Sequence, residues 1–164
     1  MRHKPFFLIL ICAFLYAGTA SAQSTAVLWQ TEKSEHFIIY YRDAPQEYLD
    51  ELVRDAERYY NSITVELGFT RFDEFWTWDK RVKIYLYRDI EEYRNITKQP
   101  VWSGADVNIY SREISTYVNM NHFFDSILPH ELGHIIFREF VGFNRRLPIW
   151  MDEGVVSYLE KGQI

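Results

Sequence analysis

The stretch LPHELGHIIFREFVG, residues 128–142, carries the strongest structural signal in this chain. It predicts a helix, because Pro129 fits a first turn that needs no backbone N–H and Gly142 can end the pattern. Asp125 or Ser126 is the expected N-cap. The apolar side chains that recur at helical spacing are Leu128, Leu132, Ile135, Ile136 and Phe140. One side of this helix is therefore expected to lie in a hydrophobic core.

Within the predicted helix, His130, Glu131 and His134 form an HExxH sequence. Histidines at i and i+4 project from one face of a helix and can share one Zn²⁺, and Glu131 beside them can take a proton from metal-bound water. Gly133 can allow close packing beneath the metal. The plain alternative is a helix whose two histidines are solvated or satisfied in the core. The metal interpretation is favoured, and it predicts a zinc-dependent peptidase.

A catalytic zinc site needs a third protein ligand and an open position for water. Phe137 and Phe140 occupy the positions that the HExxHxxGxxH spacing reserves for glycine and histidine, which disfavours a metzincin. The candidates further along the chain are the adjacent carboxylates Asp152 and Glu153. A carboxylate early in a helix is also stabilised by the helix dipole alone, so Glu153 has an ordinary explanation too.

The segment LPIWMDEG, residues 147–154, resembles the lPxWxxEG helix of the gluzincin zinc metallopeptidases. Its distance from the HExxH sequence, 18 residues between His134 and Glu153, is similar to that of aminopeptidase-like gluzincins and of short bacterial peptidase MA-like families. The match covers about residues 104–160. The resemblance implies that His130, His134 and Glu153 are the zinc ligands and that Glu131 is the general base.

The same resemblance implies an α+β, zincin-like fold. In such a fold a small mixed or antiparallel sheet packs on the HExxH helix, and a second helix carries the third ligand. It further implies a Zn²⁺ cofactor, a peptide or protein substrate, and an edge strand that aligns the substrate by main-chain hydrogen bonds. The hairpin at residues 104–120 is the expected edge.

Residues 104–108, GADVN, resemble the Gly-x-Met-Glu-Asn strand of zinc aminopeptidases, but they depart from it at the decisive place. The glutamate that holds the substrate's free α-amine in that family is Val107 here. Asp106 is adjacent, but on a strand it is expected to point to the other face. Exopeptidase and endopeptidase activity therefore both remain open.

The oxyanion-stabilising donor is not evident in this sequence. Gluzincins supply a Tyr or His from beyond the third ligand, and the sequence given ends 11 residues after Glu153. We expect either a C-terminally truncated domain or a donor from upstream, where Tyr110 and Tyr117 are available. A non-catalytic zincin-fold module that binds peptide or glycan is the alternative function, and an interaction protein with a chance motif is a third.

Residues 1–22 have the layout of a secretory signal peptide, which predicts a secreted or periplasmic protein with a domain at 23–164. Arg2, His3 and Lys4 form a basic start, an apolar run follows, and cleavage is expected after Ala22. The run is short for a membrane span, so no stable membrane insertion is expected after cleavage. Cys12, the one cysteine, leaves with this segment. The net charge of −5 becomes more negative on cleavage, which argues against a nucleic-acid partner.

The remaining elements follow from periodicity and turn signals. Residues 23–34 are expected to form a polar lead-in, and 36–41 a strand covered on both faces. A long amphipathic helix capped by Asp43 is expected to end at Gly68, and 71–79 to form an aromatic-rich connection. The later expectations are a strand at 82–87, a short helix at 89–98, strands near 105–110 and 115–120, and a helix from Pro148, which Gly154 would bring close to the HExxH helix. The 12 Tyr, 12 Phe and 5 Trp are read mainly as core and strand residues.

Overall fold

The computed structural model describes residues 28–69 and 80–161. The predicted signal peptide, Cys12, the 71–79 connection and the last three residues lie outside the described residues. The elements, in chain order, are strand β1 (Gln30–Lys33), β2 (Phe37–Tyr41), helix α1 (Gln46–Glu66), β3 (Val82–Tyr87), α2 (Ile90–Thr97), β4 (Asp106–Asn108), β5 (Glu113–Tyr117), a π-helical turn (Phe123–Ile127), α3 (Leu128–Val141) and α4 (Ile149–Lys161).

The strands form one mixed sheet in the order β1-β2-β3-β5-β4. β2, β3 and β5 run parallel to one another, and β1 and β4 pair antiparallel at the two edges. The predicted α+β class with a small mixed sheet is confirmed at this level. None of the described helices is long and apolar enough to cross a membrane.

The two faces of the sheet differ in what they bury. On the inner face, Ile84 of β3 pairs with Ile114 of β5, and Ile39 of β2 pairs with Ile84. These side chains are almost completely buried in one cluster with apolar residues of α1 and α3. On the outer face, the Tyr40 and Tyr85 rings stack 5.0 Å apart. The sheet therefore positions α3 on its inner face.

Several boundaries differ from the sequence expectations. β1 was not predicted, because its polar residues show no period. It forms by pairing with β2, Gln30 opposite Tyr41 and Lys33 opposite Ile38. β2 is not covered on both faces, since Phe37 and Ile39 are buried but the residues between and after them are half-exposed.

Two predicted helix caps are wrong. α1 begins at Gln46, after Asp43, and Pro45 occupies the cap position without a side-chain hydrogen bond. The carbonyl of Pro45 instead accepts from the backbone N–H groups of Tyr48 and Leu49. α3 is entered through the π-helical turn, so neither Asp125 nor Ser126 caps it. By contrast, Asp89 does cap α2, accepting from Glu92 N at 2.8 Å.

Candidate metal centre

α3 and α4 meet at Gly133, on the turn of α3 between the two histidines. A Cβ built on Gly133 would lie 3.1 Å from Cγ1 of Val156, a fully buried residue of α4. Hydrogen in place of a side chain at Gly133 is what lets the helices come this close. The expectation that Gly154 makes the close approach is wrong, because nothing lies within 4 Å of a Cβ built there. The predicted role of Gly133 agrees with the structure.

The two histidines direct the same ring atom to one point. Nε2 of His134 lies 3.3 Å from Nε2 of His130. Two nitrogens bound to one tetrahedral zinc at about 2.0–2.1 Å would be separated by about 3.3–3.4 Å. The HExxH residues are therefore already spaced as a shared metal requires.

Glu153 reaches the same point from α4. Its carboxylate oxygens lie 3.8 Å from Nε2 of His130 and 3.7 Å from Nε2 of His134. One ligand atom from each of the three residues falls within 4.8 Å of the others. The group His130, His134 and Glu153 could thus hold a metal ion, and it contains all three ligands proposed from the sequence.

Burial around this group is asymmetric. The side chain of His134 is only 9% exposed, that of His130 29%, and that of Glu153 53%. The histidine side of the site is therefore embedded in the fold, whereas the Glu153 side opens to solvent. This is the layout of a site with room for a water or a substrate group, rather than a closed structural site.

Glu131, the predicted base, lies in a more apolar environment than a surface glutamate. Burial raises the pKa of its carboxyl above the usual 4.5, His130 opposes this shift, and the negative charges of Glu153 and Asp106 add to it. A carboxylate with a raised pKa holds a proton more readily. Glu131 is therefore suited to accept a proton next to the metal group.

Asp152, the alternative ligand, has a different neighbourhood. Its Oδ2 accepts hydrogen bonds from Nε of Arg138 at 3.1 Å and from Nη2 at 2.7 Å. Its Oδ1 faces Nδ1 of His134 at 3.4 Å. Asp152 thus contacts the side of the imidazole opposite to the Nε2 that points to the metal group.

Glu160 was missed by the sequence reasoning. Its Oε2 lies 3.3 Å from Nδ1 of His130, and its Oε1 accepts from Oγ of Ser126 at 2.9 Å. Ser126, predicted as a cap, therefore contacts α4 instead. A signal was present: Glu160 follows Glu153 by seven residues, which puts both on one side of a helix. Arg138 likewise follows His134 by four.

The candidate substrate strand is the short edge strand β4. Val107 pairs with Ile114 and packs on the core, whereas Asp106 pairs with Ser115. Asp106 and Val107 therefore point to opposite faces, as predicted from strand alternation. The position that carries a glutamate in the aminopeptidase strand is held here by an apolar residue facing the core.

The two upstream tyrosines occupy different places. Tyr117 pairs with Tyr87, and its ring lies 5.8 Å from that of Tyr93, on the outer face of the sheet. Tyr110 is 76% exposed, with its ring 5.8 Å from that of Phe143. It lines a small cavity together with Arg138. Of the two, Tyr110 is the one on the side of α3.

The chain matches no protein-family model, and no curated protein matches it at a significant level.

Proposed function

We propose that this protein is an exported zinc-dependent metallopeptidase of the gluzincin type, built on a zincin-like fold. The observation that carries the proposal is the convergence of Nε2 of His130, Nε2 of His134 and the carboxylate of Glu153 on one point. Two imidazoles and one carboxylate are a ligand set used by catalytic zinc in peptidases. Glu131, next to His130, supplies the acid–base group that such a site needs.

The proposed reaction is the hydrolysis of a peptide bond. Bound Zn²⁺ would act as a Lewis acid on the scissile carbonyl and would acidify a coordinated water. Glu131 accepts a proton from the attacking water as the water oxygen bonds to the carbonyl carbon. It then gives that proton to the amine nitrogen as the C–N bond breaks.

Substrate placement is proposed along β4. This strand is at the sheet edge and has three residues, Asp106–Asn108, paired only with β5 among the described strands. Its free edge can add an extended peptide by main-chain hydrogen bonds. Val107 faces the core, so the position of the aminopeptidase glutamate carries no carboxylate. Internal peptide bonds are therefore the substrates that we favour.

The test separates metal binding from catalysis in the full chain. We expect Glu131→Gln to keep one zinc per chain and to reduce cleavage of a denatured protein by about 10²–10⁴-fold. Glu91→Gln is the control, since Glu91 is an exposed glutamate on α2 and is outside the metal group. The control should cleave like wild type. Full turnover by Glu131→Gln would remove Glu131 from the mechanism.

The alternative, a non-catalytic binding module, has one observation in its favour. Trp102, just before β4, is 87% exposed, and Trp150, in the first turn of α4, is 73% exposed. Exposed aromatic rings can bind peptide or sugar. Such a module would bind a ligand and would not hydrolyse peptides even with zinc added, so the same cleavage assay distinguishes the two functions.

A further inference from the structure

Both histidines of the metal group have a carboxylate on the ring nitrogen that points away from it. Nδ1 of His134 faces Asp152 at 3.4 Å, and Nδ1 of His130 faces Glu160 at 3.3 Å. Both carboxylates are on α4, the helix that also carries Glu153. One helix thus approaches the two imidazoles with three carboxylates.

We propose that Asp152 and Glu160 are positioning residues that hold His134 and His130 with Nδ1 protonated and Nε2 free for the metal. A neutral imidazole carries one proton, and the hydrogen bond at one nitrogen decides which nitrogen is free. A carboxylate can only accept, so it selects the Nδ1–H form. The role assigned to the metal rests on the proposed function, whereas the tautomer selection does not.

Each carboxylate is itself held in place. Arg138 donates two hydrogen bonds to Oδ2 of Asp152, which leaves Oδ1 directed at His134. Nδ1 of His134 and Oδ1 of Asp152 are both buried and have no other hydrogen-bond partner among the described residues. Two complementary buried atoms 3.4 Å apart have only each other to satisfy them, and a small rotation of the ring makes the bond.

The Glu160 carboxylate is held by one hydrogen bond, compared with two for Asp152. Ser126 donates to Oε1 of Glu160 at 2.9 Å, which leaves Oε2 for His130. Ser126 lies in the π-helical turn that precedes α3. This turn therefore brings the Ser126 hydroxyl to the Glu160 carboxylate on the neighbouring helix.

These contacts predict that substitutions at Glu160 and at Asp152 differ in their effect on the stability of the fold. The side chain of Glu160 is 24% exposed, so Glu160→Leu should fold. Asp152→Asn alone would leave Arg138 without its carboxylate in a partly buried place, which is destabilising in itself. The double variant Asp152→Leu with Arg138→Leu removes both members of the pair and the oxygen that faces His134, so the Nδ1–H preference at His134 should be lost. Glu91→Gln, at an exposed glutamate on α2, again serves as the control.

The experiment uses two readouts on the full chain. Histidine tautomers are read from long-range ¹H–¹⁵N spectra of the metal-free protein, recorded at a pH at which the spectra themselves show both rings to be neutral. Zinc affinity is measured by competition with a chromophoric chelator. We expect Nδ1–H at both residues in wild type and loss of that preference at His130 in Glu160→Leu. Zinc affinity should fall about 10–100-fold in Glu160→Leu, less in Glu160→Gln, and not in Glu91→Gln.

The outcomes separate the two claims. An Nε2–H tautomer at either histidine in wild type, or unchanged tautomers and affinity in Glu160→Leu and in the double variant, would overturn the positioning roles. Wild type that binds no zinc but shows both Nδ1–H tautomers would overturn the proposed function and support the positioning roles. If wild type binds zinc but the variants show unchanged tautomers and unchanged zinc affinity, the metal site of the proposed function is supported and the positioning roles are overturned.

Discussion

Glu57 on α1 binds both the backbone and the side chain of His36, just before β2. Its Oε1 accepts from the His36 backbone N–H at 2.9 Å, and its Oε2 lies 2.6 Å from the ring Nδ1. The His36 ring also stacks on Tyr60 of α1 at 3.7 Å. The residue that precedes β2 is thus bound to α1 by one carboxylate and one ring contact.

Glu57→Gln is expected to lower the free energy of unfolding by about 1–3 kcal/mol, because a partly buried, charge-assisted hydrogen bond is lost. Burial opposes ionisation of Glu57, but the hydrogen bonds from His36 outweigh it and lower its pKa below 4.5. A lowered pKa gives stability that is present above pH 4.5 and is lost as the pH falls through the folded-state value. Chemical denaturation at neutral and acidic pH checks this, and equal acid sensitivity in both proteins would contradict it.

Gly133→Val is expected to destabilise the fold by about 1–3 kcal/mol and to weaken zinc binding, because the added atoms meet Val156 and push α4 away. The matched control is Gly154→Ala on α4, where nothing lies within 4 Å of the new methyl. That change should stabilise the helix by up to about 1 kcal/mol. Thermal denaturation and chelator competition measure both effects. A Gly133→Val protein as stable as wild type would refute the close contact.

Zinc is expected to raise the thermal midpoint of the wild-type chain in a concentration-dependent way. At a free concentration 100 times the Kd, binding to the native state alone adds about 2.7 kcal/mol. His134→Ala should abolish the increase, because His134 supplies a ligand atom. His122→Ala should keep it, since that histidine is 79% exposed and outside the metal group. A zinc-induced increase that survives in His134→Ala would place the ion elsewhere.

Tyr48→Phe is expected to keep or increase stability at pH 7 and to reduce the loss of stability at alkaline pH. The hydroxyl is buried near the backbone of Asn119, but it makes no hydrogen bond of normal geometry with any of the described residues. Burial raises the pKa of Tyr48 to about 12. A tyrosine with a raised pKa loses its stabilising contribution as the pH rises from 10 to 12, so unfolding should become easier there. Urea titrations at pH 7 and in that alkaline range compare the two proteins, and an unchanged alkaline slope would contradict the prediction.

The sequence predicted the elements whose signals are local. α3 could be placed because apolar residues recur at helical spacing between Pro129 and Gly142, and the HExxH residues fall on it. β3 was predicted at its observed bounds, Val82–Tyr87, because its side chains alternate. In each case the residues that define the element are neighbours in the chain.

The parts that could not be predicted depend on contacts between distant residues. β1 is polar and becomes a strand only by pairing with β2. Ser126 is an ordinary cap by sequence, but its hydroxyl is taken by Glu160, which lies 34 positions away. Glu160 and Arg138 carry no motif, and their roles become visible only when α4 is placed against α3. Periodicity does not supply that placement.

The short connection between α3 and α4 has a consequence for the order of folding. The whole metal group and its supporting residues lie within residues 126–160, and only residues 142–148 separate the two helices. Closing so short a loop costs little chain entropy, whereas the parallel pairs β2–β3 and β3–β5 each require a crossover through a helix. We therefore expect the helical hairpin to assemble on a faster timescale than the sheet, so that the site's geometry is set by local contacts before the long-range pairing is complete.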